Sequence, residues 1–167
     1  MPQAKHLFLL RHAKSSWEDP GLDDHERPLA PRGRRAAMAM AGHLARAGVE
    51  PELVLCSTAR RARETLERLS PGGEVLIESE LYGASPTQLI ERLRRVPDAV
   101  DSVMLIGHNP AMQSLAISLA VAGGERERVE RKFPTGALAT LVFHGGWGEL
   151  QPGSAELVAF VRPKEIG

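Results

Sequence analysis

The sequence predicts an α/β fold of three layers, in which a mostly parallel six-stranded sheet carries helices on both faces. Four short apolar runs each lead into a stretch of helix-forming residues, which is typical of parallel strands joined by helices. Two further apolar runs near the C-terminus have no helix between them, which favours an antiparallel pair at one side of the sheet. We expect residues 1–167 to form one domain, since this length can bury a sizeable core.

The order of these runs gives the expected elements. The predicted strands are 6–10 (HLFLL), 52–56 (ELVLC), 74–78 (EVLIE), 102–106 (SVMLI), 137–143 (ALATLVF) and 156–161 (ELVAFV). The predicted helices are 31–47, 59–69, 85–96 and 111–122. A polar, turn-rich loop is expected at 17–29, and the charged run 123–132 is interpreted as solvated surface.

Local signals mark the helix ends. Pro31 suits the first position of a helix and Gly48 suits its end, while Ser85 is a good N-cap for the third helix. Ala30 cannot cap the first helix, which costs about 1 kcal/mol relative to Ser or Thr. The apolar face of the first helix is predicted to hold Met38, Ala41, Leu44 and Ala45.

Composition excludes several classes of function. The 21 basic residues are balanced by 21 acidic ones, so general binding to nucleic acid or to a membrane surface is not expected. The single cysteine, Cys56, excludes an internal disulfide, and we interpret it as a packing residue rather than a nucleophile. The chain shows no signal-peptide pattern and no apolar run of about 18 residues, so we expect a cytoplasmic protein without a membrane span.

Polar and charged side chains follow four of the predicted strands. They are Arg11 and His12 after the first, Ser57 with Arg60, Arg61 and Arg63 after the second, Glu80 after the third, and His108 after the fourth. In an open α/β sheet, ligands bind beyond the carboxyl ends of the strands. We therefore expect two imidazoles to meet two guanidiniums at this edge of the sheet.

These residue types favour a phosphoryl group. Guanidiniums bind phosphate in a bidentate manner, and the helix start after the second strand also favours an anion. A metal site would bring carboxylates or thiolates instead, and nearby arginines would repel the cation. We expect neither a metal nor another cofactor. His12 is the candidate nucleophile, and Arg11, Arg61 and His108 are suited to neutralising the phosphoryl oxygens.

The chain resembles the histidine phosphatase superfamily at these residues. The matching motifs are Leu10-Arg11-His12-Ala13, the set Ser57, Arg61, Ala62 and Thr65, and the pair Gly107-His108. The resemblance implies a phosphoglycerate mutase-like fold, a metal-independent phosphatase and a phosphohistidine intermediate on His12. It also identifies Arg61, rather than Arg60, as the phosphate-binding arginine.

Further motifs are similar to the SixA-type branch of that superfamily. They are Arg27-Pro28-Leu29 and Gly107-His108-Asn109-Pro110, in a chain too short for a large lid. Members of this branch remove phosphate from phosphohistidine, so the expected partner is a phosphorylated substrate such as a phosphohistidine-carrying signalling protein. The alternatives are a small-molecule phosphomonoesterase or mutase of the same superfamily, and a binding module without catalysis.

Acidic residues from two parts of the chain compete for the role of proton donor. Glu80 falls roughly where larger members place a catalytic glutamate, and the acids of the loop after His12 compete with it: Asp19, Asp23, Asp24 and Glu26. Ser57 and Lys14 are further candidates for substrate binding. The other histidines are interpreted as structural or surface residues: His6, His25, His43 and His144.

Overall fold

The computed structural model describes residues 4–166, and this part of the chain forms a six-stranded mixed sheet with five α-helices. The strands are β1 (Lys5–Arg11), β2 (Leu53–Ser57), β3 (Glu74–Glu78), β4 (Ser102–Gly107), β5 (Leu138–Phe143) and β6 (Glu156–Val161). The helices are α1 (Pro31–Ala47), α2 (Arg60–Leu69), α3 (Pro86–Arg94), α4 (Ala111–Leu119) and α5 (Gly124–Arg131).

The strand order is β3-β2-β4-β1-β5-β6, which confirms the predicted α/β class. Strands β1 to β4 are parallel to one another, whereas β5 is antiparallel to both β1 and β6. Strand β1 therefore lies in the middle of the sheet, with β4 on one side and β5 on the other. In this register Arg11 faces Gly107, so the ends of β1 and β4 carry their next residues, His12 and His108, side by side.

Both faces of the sheet are covered because side chains of one strand alternate between them. Leu7 and Leu9 of β1 belong to a core cluster that also contains residues of α3, α4 and α5, while Phe8 and Leu10 pack with residues of α1 and α2. Full burial of such a side chain stabilises the fold by roughly 1.5–3 kcal/mol. The two cores fix β1 from both sides and make the end of β1 a rigid platform.

The helix ends follow the predicted signals. Helix α1 begins at Pro31 without a side-chain cap from Ala30, and it ends at Gly48, which adopts a left-handed conformation with φ 69°. Helix α3 has a complete capping box, in which the side chains of Ser85 and Gln88 each bond the other's backbone N–H.

The predicted apolar face of α1 is wrong in part. Met38 is 60% exposed, and the buried face consists instead of Gly33, Ala37, Met40 and Leu44. This rotation follows from the packing of Gly33, since any side chain there would collide with the backbone carbonyl of Lys14.

The charged run 123–132 also differs from its interpretation as solvated surface, because it forms α5 and buries Val129 completely. Within residues 4–166, no helix combines the length and the apolar character that a membrane crossing requires.

Candidate active site

His12 is the first residue after the central strand, and the surrounding backbone holds it firmly. Its N–H donates to the carbonyl of Gly107 at 3.0 Å, and its carbonyl accepts from the N–H of Gly136 at 3.0 Å. The side chain is only 6% exposed, and its Nδ1 lies 2.8 Å from the carbonyl oxygen of Ala13. A carbonyl can only accept, so Nδ1 carries the proton and Nε2 keeps its lone pair. Nε2 is thus the nitrogen available to attack an electrophile.

A second imidazole lies next to the first. The ring centroids of His12 and His108 are 5.1 Å apart, with an interplanar angle of 51°. Nε2 of His108 is hydrogen-bonded to Oγ of Ser57 at 2.7 Å, and this fully buried serine also accepts from the N–H of Ala59 at 3.2 Å. Ser57 therefore orients His108 from the end of the neighbouring strand.

Both imidazoles are neutral at physiological pH. Desolvation by burial, with added repulsion from His108, Arg61 and Arg11, lowers the pKa of His12 to about 3 although the bond to Ala13 opposes this shift. The pKa of His108 is lowered to about 4, again chiefly by desolvation and then by Arg61. A neutral imidazole can act as a nucleophile, so the positive surroundings keep His12 in its reactive form.

Two guanidiniums make this end of the sheet electropositive. Arg61 is 7% exposed, and Arg11 donates from Nη1 to the carbonyl of Phe133 at 3.0 Å. Burial, and after it the charge of Arg61, lowers the pKa of Arg11. Among the described residues, Nε of Arg11, Nε of Arg61 and Nδ1 of His108 are buried and have no hydrogen-bond partner. A tetrahedral anion with several acceptor oxygens would satisfy such donors.

The loop after β1 approaches the site through Asp24. The backbone carbonyl of Asp24 accepts from Nη1 of Arg61 at 2.7 Å, and its Oδ2 accepts from Nη2 at 3.0 Å. The Tyr82 hydroxyl donates to the same Oδ2 at 2.6 Å. This bond and the neighbouring arginines lower the pKa of Asp24 to about 2. Asp24 is therefore ionised and holds the guanidinium of Arg61 in place.

Thr65 connects the nucleophile segment with helix α2. Its Oγ accepts from the N–H of Ala13 at 3.0 Å and donates to the carbonyl of Arg61 at 2.7 Å. Thr65 is 1% exposed and Ala13 is fully buried, so water cannot replace either bond. One hydroxyl thus sets the position of the His12 segment relative to the helix that carries Arg61.

Comparison with known proteins agrees with this geometry. Residues 7–85 match the family model of the histidine phosphatase superfamily (branch 1). The chain belongs to the histidine phosphatase superfamily. An uncharacterized protein of Mycobacterium tuberculosis (strain ATCC 25618 / H37Rv) is 44% identical over 160 residues, covering 93% of this chain and 100% of that protein. An uncharacterized chloroplastic protein of Arabidopsis thaliana is 32% identical and covers 96% and 78% of the two chains.

Solved structures indicate the SixA-like branch of the superfamily. A SixA protein from Nakamurella multipartitia, proposed to be a phosphohistidine phosphatase, has a TM-score of 0.89 and 30% identity, covering 98% of this chain and 99% of that one. A SixA protein from Agrobacterium tumefaciens, for which the same activity is proposed, has a TM-score of 0.81, 30% identity and coverage of 98% and 99%. The protein histidine phosphatase SixA in complex with tungstate shares the fold, with a TM-score of 0.79, 23% identity and coverage of 96% and 98%.

In this member of the superfamily, the structure brings most of the predicted site residues to one edge of the sheet. His12, Ser57 and His108 meet through the contacts described above, at the carboxyl ends of β1, β2 and β4. The charges of Arg11 and Arg61 lower the pKa of both imidazoles. The exposed side chain of Lys14 lies instead at a neighbouring cavity, whose wall it shares with Arg11.

The structure places Glu80 in a different environment. Its side chain is 53% exposed, and Oε1 lies 2.7 Å from Arg95 and 3.5 Å from Arg92. None of the hydrogen bonds and ion pairs within residues 4–166 joins Glu80 to His12 or His108. Its role as proton donor stays a prediction. Among the competing loop acids, Asp24 contacts Arg61, whereas Glu26 pairs with His25 and Asp19 bonds the backbone of Gly21.

Sequence reasoning missed two residues beside the site. Tyr82 packs edge-on against His108 with centroids 5.5 Å apart, and His25 packs edge-on against Tyr82 at 4.7 Å. His25 is also hydrogen-bonded through Nε2 to Oγ1 of Thr58 at 2.8 Å. Tyr82 is the only tyrosine of the chain and follows Glu80 by two positions, but no sequence pattern joins it to His25.

The donor set does not suit a metal ion, and the cysteine does not suit catalysis. Among residues 4–166, no three His, Cys, Asp or Glu side chains are grouped as metal ligands would be. Cys56 is fully buried, and burial raises the pKa of its thiol to about 12. The protonated thiol fits the predicted packing role.

Proposed function

We propose that this protein is a metal-independent phosphatase that acts through a phosphohistidine intermediate on His12, and that its substrate is phosphohistidine on a partner protein. One observation carries the proposal: His12 is neutral, and the nearby side chains of Arg11, Arg61 and His108 each hold a buried nitrogen that has no hydrogen-bond partner. Phosphoryl transfer requires a nucleophile without charge and hydrogen-bond donors that are free to bind the phosphoryl oxygens.

The first step transfers the phosphoryl group to the enzyme. Nε2 of His12 forms a bond to phosphorus while the bond from phosphorus to the partner's imidazole nitrogen breaks, and that nitrogen keeps the electron pair. Arg11, Arg61 and His108 donate to the three equatorial oxygens. Water then attacks phosphorus, the bond to Nε2 breaks, and His12 regains its lone pair as inorganic phosphate leaves.

The choice of phosphohistidine depends on the proton donor. An imidazole leaves more readily than an alkoxide, so phosphohistidine needs a strong acid less than a phosphomonoester does. The acid that contacts this site, Asp24, is ionised because its pKa is about 2. This favours a substrate with a good leaving group over a small-molecule phosphomonoester. The proposal includes a cytoplasmic location, for which the single cysteine is the sequence support.

The test compares phosphohistidine peptide and p-nitrophenyl phosphate as substrates of three proteins. We expect the natural sequence to hydrolyse the peptide with the higher kcat/KM and in the presence of a chelator, and His12→Ala to be inactive. His144→Ala is the matched control, because His144 is exposed, and it should keep full activity. Unchanged activity of His12→Ala would refute the proposed nucleophile.

The same panel separates the alternatives. Turnover of sugar phosphates or phosphoglycerate without turnover of the peptide would identify a small-molecule phosphatase or mutase. Affinity for inorganic phosphate without turnover of any substrate would identify a binding module. Variants Glu80→Gln and Asp24→Asn then test the proton donor, since loss of an acid that serves only esters should slow the hydrolysis of an alkyl phosphate such as β-glycerophosphate more than that of the peptide.

A further inference from the structure

A second cavity of about 420 Å³ lies next to the phosphoryl site, and we call it the basic pocket. Six cationic side chains line it: Arg11, Lys14, Arg32, Lys132, Arg162 and Lys164. Among residues 4–166, no Asp or Glu side chain is part of the lining. The chain as a whole has no net charge, so this concentration of cations is a local feature rather than a consequence of composition.

In the described part of the chain, most of these cations form no ion pair. Arg162 is partly neutralised, because its Nε lies 2.9 Å from Glu165, which also pairs with Arg128. Across residues 4–166, no ion pair within 4.0 Å involves the other basic side chains of the pocket: Arg11, Lys14, Arg32, Lys132 and Lys164. The side chains of Lys14, Arg32, Lys132 and Lys164 are exposed. They come from four separate segments, so their convergence is a property of the fold.

Arg11 joins the basic pocket to the phosphoryl site. It lines the pocket, and its charge lowers the pKa of His12. The segment that carries Lys132 is held against it, since the carbonyl of Phe133 accepts from Arg11 and the N–H of Gly136 donates to the carbonyl of Arg11 at 3.0 Å. A substrate that places its phosphoryl group at His12 therefore has the basic pocket beside it, on the other side of Arg11.

We propose that the basic pocket binds an aspartate or glutamate side chain that the partner protein carries near its phosphohistidine. This inference rests on the proposed function. The pocket is open and its cations lie at the surface, which suits a side chain projecting from a protein. Two side chains three or four residues apart on a helix have Cβ atoms roughly 5–6 Å apart, so both could reach adjacent sites that share Arg11. Exposed charge pairs of this kind also raise association rates at low salt.

Two phosphohistidine peptides of equal length provide the test. One carries Glu three and four residues from the phosphohistidine on both sides, and the other carries Gln at these positions. We expect kcat/KM to be about tenfold higher for the Glu peptide at low salt, mainly through KM, with a smaller difference at high salt. The double variant Lys132→Gln/Lys164→Gln should lose this preference and hydrolyse the Gln peptide as before.

The control removes two charges elsewhere. Arg46→Gln/Arg68→Gln changes exposed side chains outside the basic pocket and should keep the preference for the Glu peptide. Equal hydrolysis of both peptides by the natural sequence would overturn this inference and leave the phosphatase proposal intact. If both peptides are hydrolysed equally, and inorganic tripolyphosphate inhibits the natural sequence but not Lys132→Gln/Lys164→Gln, the basic pocket binds a second phosphate group. That result would overturn this inference. Hydrolysis of neither peptide would overturn both proposals.

Discussion

The hydroxyl of Thr65 offers a sharp test of how the site is built. The substitution Thr65→Val keeps the shape of the side chain and removes the acceptor of the Ala13 N–H, which is 3.0 Å away. The Arg61 carbonyl loses the hydroxyl as a hydrogen-bond donor, but it keeps a backbone N–H donor because it lies inside α2. The Ala13 N–H has no such replacement, because Ala13 is fully buried.

The expected loss of stability follows from this difference. A buried donor without an acceptor costs roughly 1–3 kcal/mol, so Thr65→Val should lower the free energy of unfolding by this amount. Thr65→Ser is the matched control, since it keeps the hydroxyl and removes one buried methyl group at a cost of about 0.8 kcal/mol. Urea-induced unfolding measures both values.

Kinetics of the same variants test the link to catalysis. The carbonyl of Ala13 orients His12, so a shift of this segment in Thr65→Val should lower kcat by at least about tenfold, while Thr65→Ser should stay close to the natural sequence. A Thr65→Val protein that is as stable and as active as Thr65→Ser would refute the assignment of Thr65 as the connection between the nucleophile and α2.

Three further predictions concern the site. Arg61→Lys should raise KM for phosphate substrates at least about tenfold, because an ammonium cannot replace the guanidinium fork that binds Asp24 and that we propose binds phosphate; a KM within twofold contradicts this. The pKa of His12 is about 3, against an ordinary value of 6.5, so between these pH values the unfolded chain binds a proton that the folded chain does not. The free energy of unfolding should therefore fall as the pH drops from 6.5 to 3, and it should fall less steeply in His12→Asn. An NMR titration of His12 with a midpoint near 6.5 would contradict the lowered pKa. Glu80→Gln should leave kcat for phosphohistidine peptide within about twofold, since its ion pairs are exposed; a large loss would identify Glu80 as the proton donor.

The sequence predicted the strands for a physical reason, and the same reason brings several candidate site residues to one edge of the sheet. Apolar runs that alternate with helices specify parallel strands, and parallel strands bring their carboxyl ends to one edge. Arg11, His12, Ser57 and His108 immediately follow or end such strands, so little else is needed to place them together. Arg61 lies in the first turn of α2, directly after β2, so the position of β2 also sets the position of Arg61.

Lateral strand order was beyond the sequence. Glu80 follows β3, and β3 is separated from β1 by β2 and β4. At roughly 4.8 Å per strand, this places the two strand ends about 14 Å apart across the sheet. Periodicity identifies strands but does not order them, so the sequence alone could not place the end of β3 relative to His12.

Loop contacts were also beyond the sequence. Asp24 was one of four competing acids, and only the folded loop brings it to Arg61 and Tyr82. The exposure of Met38 has the same origin, because the face of α1 that turns inward is fixed by the contact of Gly33 with the loop backbone. Such contacts depend on tertiary packing rather than on local pattern.

The most direct test of the central claim is the position of the phosphoryl group during turnover. Rapid alkaline quenching of the enzyme with phosphohistidine peptide, followed by peptide mapping by mass spectrometry, would locate it. We predict an acid-labile phosphoryl group on the peptide that contains His12, and none in His12→Ala. Turnover with the phosphoryl group on another residue, or without any phosphorylated enzyme, would contradict His12 as the nucleophile.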